Sequence, residues 1–157
     1  MPRRSAAGEP ERIWRELRAL IDNFQAELAK PDLRGKVRAL IPAFHKLRDL
    51  GASLLRSDDH QAARDRLLQY LLLYPRTVIE GEELMIVSGI GEWARRVREL
   101  RVQLGWPIVT GVTLRQMAGE EEFTEADLAV GSVKVDDYFL LSEHQDLESA
   151  YRWHLAN

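Results

Sequence analysis

The chain has 157 residues, a formal net charge of −3 at pH 7 and no cysteine. This length suffices for one or two small domains with a hydrophobic core, and the lack of cysteine excludes disulfides and cysteine-bound zinc. Apolar residues make up 45% and charged residues 30% of the chain, a globular balance that limits the expected disorder to the ends. No apolar run could span a membrane or serve as a signal peptide, so we expect a cytoplasmic protein without a membrane partner.

The charge is distributed unevenly along the chain. Residues 1–75 carry a net charge of +4, residues 76–106 are neutral, and residues 107–157 carry −7. A basic domain is the usual footprint of nucleic-acid binding, so the overall charge argues mildly against that function. DNA binding by such a chain would depend on a local basic patch rather than on the field of the whole protein.

The first part of the chain is predicted to be a disordered start, residues 1–10, followed by a helical hairpin, residues 11–56. Apolar residues recur at helical spacing from Ile13 to Leu28. The second helix carries a heptad seam that steps by four and three residues: Leu33, Val37, Leu40, Phe44, Leu47, Gly51 and Leu54. Because neither helix can bury its apolar stripe alone, the hairpin must pack on the next domain or on a second copy of itself.

The following segment, residues 57–142, is predicted to be a winged helix with a long acidic wing. The expected elements are a helix at 60–74, a short β-type segment at 77–79, helices at 82–87 and 91–104, and strands at 106–112 and 138–141, with the acidic segment 114–127 between the two strands. Residues 143–157 are expected to be a C-terminal linker helix that starts near Asp146. The fold class is thus mainly α with a small β wing, an N-terminal helical hairpin and a winged helix-turn-helix.

The helix predicted at 91–104 is amphipathic and carries four arginines. Its buried stripe comprises Ile90, Trp93, Val97, Leu100 and Leu104. Arg95 points most directly away from this stripe. The helix follows a short helix and a tight turn and precedes a strand, which is the position of a DNA-reading helix, and the major groove is wide enough to admit it.

We expect this helix and the wing to contact double-stranded DNA. The candidates are, for base edges, Ser88, Glu92 and Arg95, with Gly91 allowing close approach; for phosphates, Arg96, Arg98 and Arg101; and, from the wing, Arg115 or Lys134. The same pattern also fits a solvated helix face, in which Glu92 and Glu99 pair with the arginines. It fits as well a winged helix that contacts protein.

The segment VIEGEELMIVSGIGEWARRVRELRVQLGWPIVTG, residues 78–111, resembles the winged-helix region beside the catalytic domain of bacterial HNH endonucleases and restriction-type proteins. The family pattern is matched at Gly81–Leu84, Ser88–Ile90, Glu92–Arg101 and Gly105–Ile108. The C-terminal YFLLSEHQDLESAYRWHLAN resembles the strand and helix that link to the nuclease module in that family. Since the chain stops at Asn157, where that module would begin, the resemblance implies either the DNA-recognition part of a larger protein or a naturally short form.

The sequence carries no motif for catalysis or for a cofactor. The four histidines, His45, His60, His144 and His154, lack metal-ligand spacing. Lys134 is preceded two residues earlier by Ser132 and not by the acid of a PD-(D/E)xK nuclease, and the run Glu120–Glu122 is typical of a solvated loop. We therefore expect no metal, no cofactor and no catalysis by this chain alone.

The function predicted from the sequence is sequence-specific recognition of double-stranded DNA, as the DNA-binding part of a restriction or defence-type endonuclease. The recognised site could include a modified base. A nuclease module or subunit is an expected protein partner, and the hairpin offers a surface for a homodimer. Two rivals stay open: a stand-alone dimeric transcriptional regulator, and a protein-interaction winged helix in a defence complex.

Overall fold

The computed structural model describes residues 9–55, 63–118 and 133–157. The chain divides into two compact units, unit 1 at Met1–Asp59 and unit 2 at His60–Asn157. The described residues form seven helices and one three-stranded antiparallel sheet, which confirms the mainly α class with a small β sheet. None of the described helices combines the length and apolar content that crossing a membrane requires.

Some predictions fall on residues outside these ranges. They are most of the disordered start at 1–10, the beginning of the helix predicted at 60–74, with His60, and the acidic run Glu120–Glu122 of the wing. The first described helix begins at Glu9, two residues before the predicted start of the hairpin.

Unit 1 is a hairpin of two helices, α1 at Glu9–Leu28 and α2 at Leu33–Ser53. An ion pair joins them, with 2.7 Å between Glu16 Oε2 and Lys46 Nζ. Because Glu16 and Lys46 lie at similar distances along the chain from the connecting turn, the two helices run antiparallel. Hydrogen bonds from Lys46 and from Arg12 lower the pKa of the Glu16 carboxyl.

The contact between α1 and α2 uses small residues on α2. Ile13 and Leu17 of α1 are buried, as are Ala43 and Gly51 of α2. Most of the predicted heptad seam instead stays exposed, and Phe44 at its centre is 56% exposed. The small side of α2 lets α1 approach closely, and the larger residues of the seam are left on the neighbouring side.

Unit 2 alternates helices with short strands. Its elements are α3 at Ala63–Leu73, β1 at Ile79–Glu80, α4 at Gly81–Ser88, α5 at Trp93–Val102, β2 at Ile108–Thr110, α6 at Gly111–Ala118, β3 at Asp137–Leu140 and α7 at Leu147–Ala156. The sheet has the order β1-β3-β2, so the last strand lies in the middle and pairs antiparallel with both others.

Two predicted elements have different bounds in the structure. The strand expected at 106–112 has only three residues and is followed at once by α6, which begins at Gly111. A side chain at Gly111 would overlap the backbone carbonyl of Lys134, so glycine permits this close approach of α6 to the segment before β3. The start of α5 is Trp93, because Gly91 and Glu92 belong to the preceding turn.

The main core of unit 2 lies between its helices and the sheet. Its buried members are Leu67, Leu71, Ile79, Leu84, Val97, Leu100, Ile108 and Leu140. A second cluster contains Leu114, Val133 and Phe139. Full burial of one such side chain contributes about 1.5–3 kcal/mol, so these contacts fix which side of α5 faces the sheet and leave its other side exposed.

Candidate nucleic-acid interface

The helices α4 and α5 are joined by a short turn whose geometry follows from the local sequence. At the start of α4, Glu80 and Glu83 form a capping box, in which each side chain accepts a hydrogen bond from the backbone of the other residue. At its end, Gly89 adopts the left-handed conformation with φ of 68°, and its N–H donates to the Met85 carbonyl. The chain then turns through Gly91 and Glu92 into α5.

Ser88 is fully buried inside this turn. Its hydroxyl donates to the Met85 carbonyl at 2.9 Å and accepts from the Ile90 N–H at 3.3 Å. This burial does not fit the prediction that Ser88 reads a base edge, because a short polar side chain at this position satisfies the backbone of the turn instead of facing outward.

Arg66 of α3 holds the same turn from the other side. Its guanidinium donates to the carbonyls of Val87 and Ser88, with 2.6 Å between Nη2 and the Ser88 oxygen. These carbonyls belong to the last residues of α4, where a positive charge interacts favourably with the helix dipole. The sequence pattern did not single out Arg66, since α3 and α4 are adjacent only in the folded chain.

The outer side of α5 and its preceding turn exposes a set of residues that we call the arginine face. It consists of Gly91, Glu92, Arg95 and Arg98. On the opposite side Val97 and Leu100 are buried, and the ring of Trp93 packs edge-on against Tyr138 with 5.9 Å between ring centroids. The exposed side thus contains residues that the helical spacing had placed there, and their contact with DNA stays a prediction.

One carboxylate organises the arginines on one flank of this face. Glu99 Oε1 lies 2.6 Å from Arg96 Nη1 and 3.9 Å from Arg95 Nε, and Glu99 Oε2 lies 3.9 Å from Arg64 Nη1 of α3. The hydrogen bond from Arg96 is the main cause that lowers the pKa of Glu99. Three guanidinium groups around one carboxylate leave a surplus of two positive charges, as an anion-binding surface requires.

Arg101 lies on the other flank and is exposed, close to Tyr138. Burial raises the pKa of Tyr138, and the charge of Arg101 partly offsets this effect. Neither Arg98 nor Arg101 has a carboxylate within 4.0 Å among residues 9–55, 63–118 and 133–157. Within that part of the chain, both guanidinium groups are thus without a salt-bridge partner.

The C-terminal helix α7 places the aromatic side chain of Trp153 beside the arginine face. The Gln145 amide donates to the Leu104 carbonyl at 2.5 Å, and the Asp146 N–H donates to the Gly105 carbonyl at 2.8 Å. These bonds anchor the start of α7 at the end of α5. An open groove of about 240 Å³ follows, lined by Arg95, Arg98, Glu99, Val102, Gln103 and Trp153. The sequence alone left open whether the C-terminal segment folds back, so Trp153 was not among the predicted site residues.

A second cavity, of about 310 Å³, lies on the flank organised by Glu99. It is lined by Ala63, Arg64, Ile90, Arg96 and Glu99. Arg64 contributes to it from the first turn of α3, and its Nε is buried without a hydrogen-bond partner among the described residues. The predicted set omitted Arg64, because its nearness to Arg96 follows from the packing of α3 on α5.

The segment between β2 and β3 contains the other two predicted contacts. Arg115 and Lys134 are both exposed. The Arg115 guanidinium donates to the Val133 carbonyl, and the buried Asp137 carboxylate accepts from the Lys134 N–H at 2.7 Å. Arg115 therefore ties α6 to the residues before β3, whereas the Lys134 ammonium projects from the surface without an ion pair in the described ranges.

Potential metal ligands are scattered in this structure. Across the described ranges, no three His, Asp or Glu side chains come together in an arrangement that could hold a metal ion. His45, His144 and His154 are each exposed.

Residues 64–141 match the family described as the KpnI N-terminal domain. The matched span covers slightly less than half of the chain, from the start of α3 to the end of β3, and includes α4, α5 and the whole sheet. This similarity relates unit 2 to a restriction-enzyme domain and bears out the restriction-type part of the resemblance, without extending to an HNH module. No curated protein and no solved structure matches the chain.

Proposed function

We propose that unit 2 recognises double-stranded DNA for a restriction-type endonuclease, with α5 as the helix that enters the major groove. The observation that carries this proposal is a coincidence of two features. The span similar to a restriction-enzyme domain contains α5. The exposed side of α5 carries arginines, and Glu99 forms ion pairs with two of them, Arg95 and Arg96.

The order and pairing of the elements support a winged helix. From α3 to β3 the order is helix, strand, helix, helix, strand, helix, strand, with α6 between the last two strands. The last strand pairs between the other two, and the connection from β2 to β3 starts with α6, whose Leu114 packs with Val133 and Phe139. In this arrangement α5 is the reading helix, and the exposed Arg115 and Lys134 of the connection between β2 and β3 are the wing residues assigned to the neighbouring backbone.

Different arginines suit different parts of the duplex. Arg95 lies at the centre of the arginine face and has two parallel N–H donors for a guanine edge, a contact worth about 1–3 kcal/mol of discrimination. Glu92, one turn earlier, can accept from a cytosine amino group. Arg96, Arg98 and Arg101 lie towards the edges of the helix, where phosphates pass, and Arg64 joins Arg96 there.

The groove beside Trp153 gives the face an apolar component. Val102 and the indole of Trp153 flank Arg95 and Arg98. In the major groove, apolar side chains contact the methyl group of thymine while arginine binds guanine. A pyrimidine carrying a 5-methyl group next to guanine therefore suits this surface, whether the pyrimidine is thymine or a methylated cytosine.

The acidic character of the whole chain does not prevent such an interaction. Exposed charges farther than roughly 8–10 Å from a bound phosphate are screened at physiological salt, so the arginines at α5 matter more for binding than the net charge of the whole chain. Three phosphate contacts would give a plot of log affinity against log salt a slope of about −3.

The first experiment is selection of bound duplexes from a random-sequence pool at two salt concentrations. The full chain should enrich one site and lose affinity with the expected slope, and Arg18→Ala, an exposed arginine of α1 paired only loosely at 4.0 Å with Asp22, is the matched control. If no site is enriched and no binding occurs at low salt, the proposal fails.

The proposal assigns recognition and not cleavage to this chain, since its sequence carries no metal-ligand motif. Incubation of the selected duplex with the chain and Mg²⁺ or Mn²⁺ should leave both strands intact. Metal-dependent nicking that survives purification to homogeneity would require a catalytic site that this assignment does not contain.

A further inference from the structure

Unit 1 carries a row of exposed apolar side chains that we call the hairpin face. Its members are each 44–75% exposed. They are Trp14, Ile21 and Leu28 of α1, then Leu33, Val37, Leu40, Ile41, Phe44 and Leu47 of α2, and Leu54 directly after α2. Soluble monomers rarely leave so many neighbouring large apolar residues exposed, so a surface of this kind marks a contact with another molecule.

The two helices contribute to the same side of the hairpin. Trp14 follows Ile13, which is buried against α2, and Phe44 follows Ala43, which is buried against α1. One position along a helix is a rotation of about 100°. Each exposed row is therefore rotated by about 100° from the contact between the helices. Because the helices are antiparallel, these two rotations bring both rows to the same side of the hairpin, and the hairpin face is continuous across α1 and α2.

The spacing of this surface is typical of a helical partner. Apart from Ile41, the second row keeps the steps of four and three residues of the seam, in which the buried Gly51 stands between Leu47 and Leu54. Trp14, Ile21 and Leu28 on α1 are each seven residues apart. A strict seven-residue repeat keeps an apolar seam against another helix. The surface of these ten residues that remains open is on the order of 1,000 Å², compared with the about 800 Å² that each partner contributes to a standard stable interface.

The charges around the face are complementary between the two helices. The α1 segment has five acidic and three basic residues, a net charge of −2, whereas α2 has one acidic and five basic residues, a net charge of +4. In a two-fold symmetric dimer the same surface must complement itself. Packing α2 of one copy against α1 of the other satisfies this condition for charge and for apolar spacing together.

We infer that the hairpin face binds a second copy of the chain, and that two hairpins form an antiparallel four-helix bundle. This inference does not depend on DNA binding, because the face lies outside the span similar to the restriction-enzyme domain. It assigns unit 1 to association, while the proposed DNA contacts belong to unit 2.

Sedimentation equilibrium of the full chain over a range of concentrations tests the inference. The wild type should have a mass twice the 18.0 kDa of one chain. Phe44→Glu and Leu40→Glu each place a charge on the face and should return the mass to one chain. Leu155→Glu, which changes a 70% exposed leucine on α7, outside the hairpin face, is the control and should remain dimeric.

The wild type alone gives a decisive result if a variant fails to fold. A mass of one chain at a concentration of about 100 µM would overturn the inference, since an interface of this size should hold at that concentration. A dimer that persists in well-folded Phe44→Glu and Leu40→Glu, judged by helical circular dichroism, would place the contact elsewhere and overturn it equally. A mixed species larger than two chains would also contradict the two-fold arrangement.

Discussion

Units 1 and 2 use amphipathic helices in opposite ways. In unit 2 the apolar stripe of α5 is covered by α3 and the sheet, and the exposed side carries charge. In unit 1 the apolar seam of α2 is exposed, since α1 covers a different side of that helix. Periodicity thus predicts which residues share a face, whereas the number of packing neighbours decides whether the face is buried.

Two Leu→Ala variants test whether the apolar face of α5 is buried while that of α2 is exposed. Leu100 is fully buried in the core of unit 2, and Leu40 of the hairpin face is 44% exposed. Leu100→Ala should lower the free energy of unfolding by about 3 kcal/mol because it opens a cavity. Leu40→Ala should lower it by less than about 1 kcal/mol, since its side chain is already solvated.

Urea unfolding followed by circular dichroism measures both variants, at a protein concentration where the mass is that of one chain. Ile21→Ala, also on the hairpin face, is the matched control for Leu40→Ala and should behave alike. Equal large losses for Leu100→Ala and Leu40→Ala would show that the hairpin face is covered within a single chain.

Two arginine substitutions on α5 test the proposed division between base contacts and phosphate contacts in unit 2. Arg95→Ala should reduce the preference for the selected site over a mismatched one by roughly tenfold, because one bidentate base contact is lost. Arg101→Ala should weaken binding to all duplexes alike and reduce the salt slope by about 1. Titration of both variants against matched and mismatched duplexes distinguishes the two effects, and identical behaviour would refute the separate roles.

The smallest expected effect concerns Tyr70, which donates a hydrogen bond to Glu83 at 2.7 Å between α3 and α4. Burial, and then this bond, raise the pKa of Tyr70 to about 12 from its usual 10.0. A raised pKa favours the protonated form in the folded state, so its stabilising contribution is complete below pH 10 and is lost as the pH rises through 12. Tyr70→Phe should flatten the alkaline part of the stability curve, and an unchanged pH dependence would contradict this account.

The helices of both units were largely predictable, because their apolar spacing is regular over many residues. Val97 and Leu100 are buried as the spacing of α5 predicts, and Arg95 and Arg98 are exposed. The β-type sequence from Trp106 to Val112 was misleading at its end, since the chain starts α6 at Gly111, where the pattern predicted more strand. Short strands depend on their partners, and β2 is defined by its pairing with β3.

The finer composition of the candidate site could not be predicted from local spacing. Ser88 faces inward because a turn needs its hydroxyl, and the helical projection had treated it as part of the helix surface. Arg64, Arg66 and Trp153 come from helices distant in sequence, and only tertiary packing brings them to α4 and α5. Side chains that meet across elements leave no periodic signal in a single sequence.

Glu99 affects the side-chain entropy that the neighbouring arginines would lose on binding a ligand. An arginine carries about 2 kcal/mol of rotamer freedom, which is lost when its guanidinium is immobilised. Around Glu99, Arg64, Arg95 and Arg96 are already restrained in the folded chain, so part of that loss belongs to folding rather than to binding. Replacing Glu99 by a neutral residue would make the surface more positive and would also release the side chains of Arg64, Arg95 and Arg96, so under the proposed DNA binding the two effects of the substitution oppose each other.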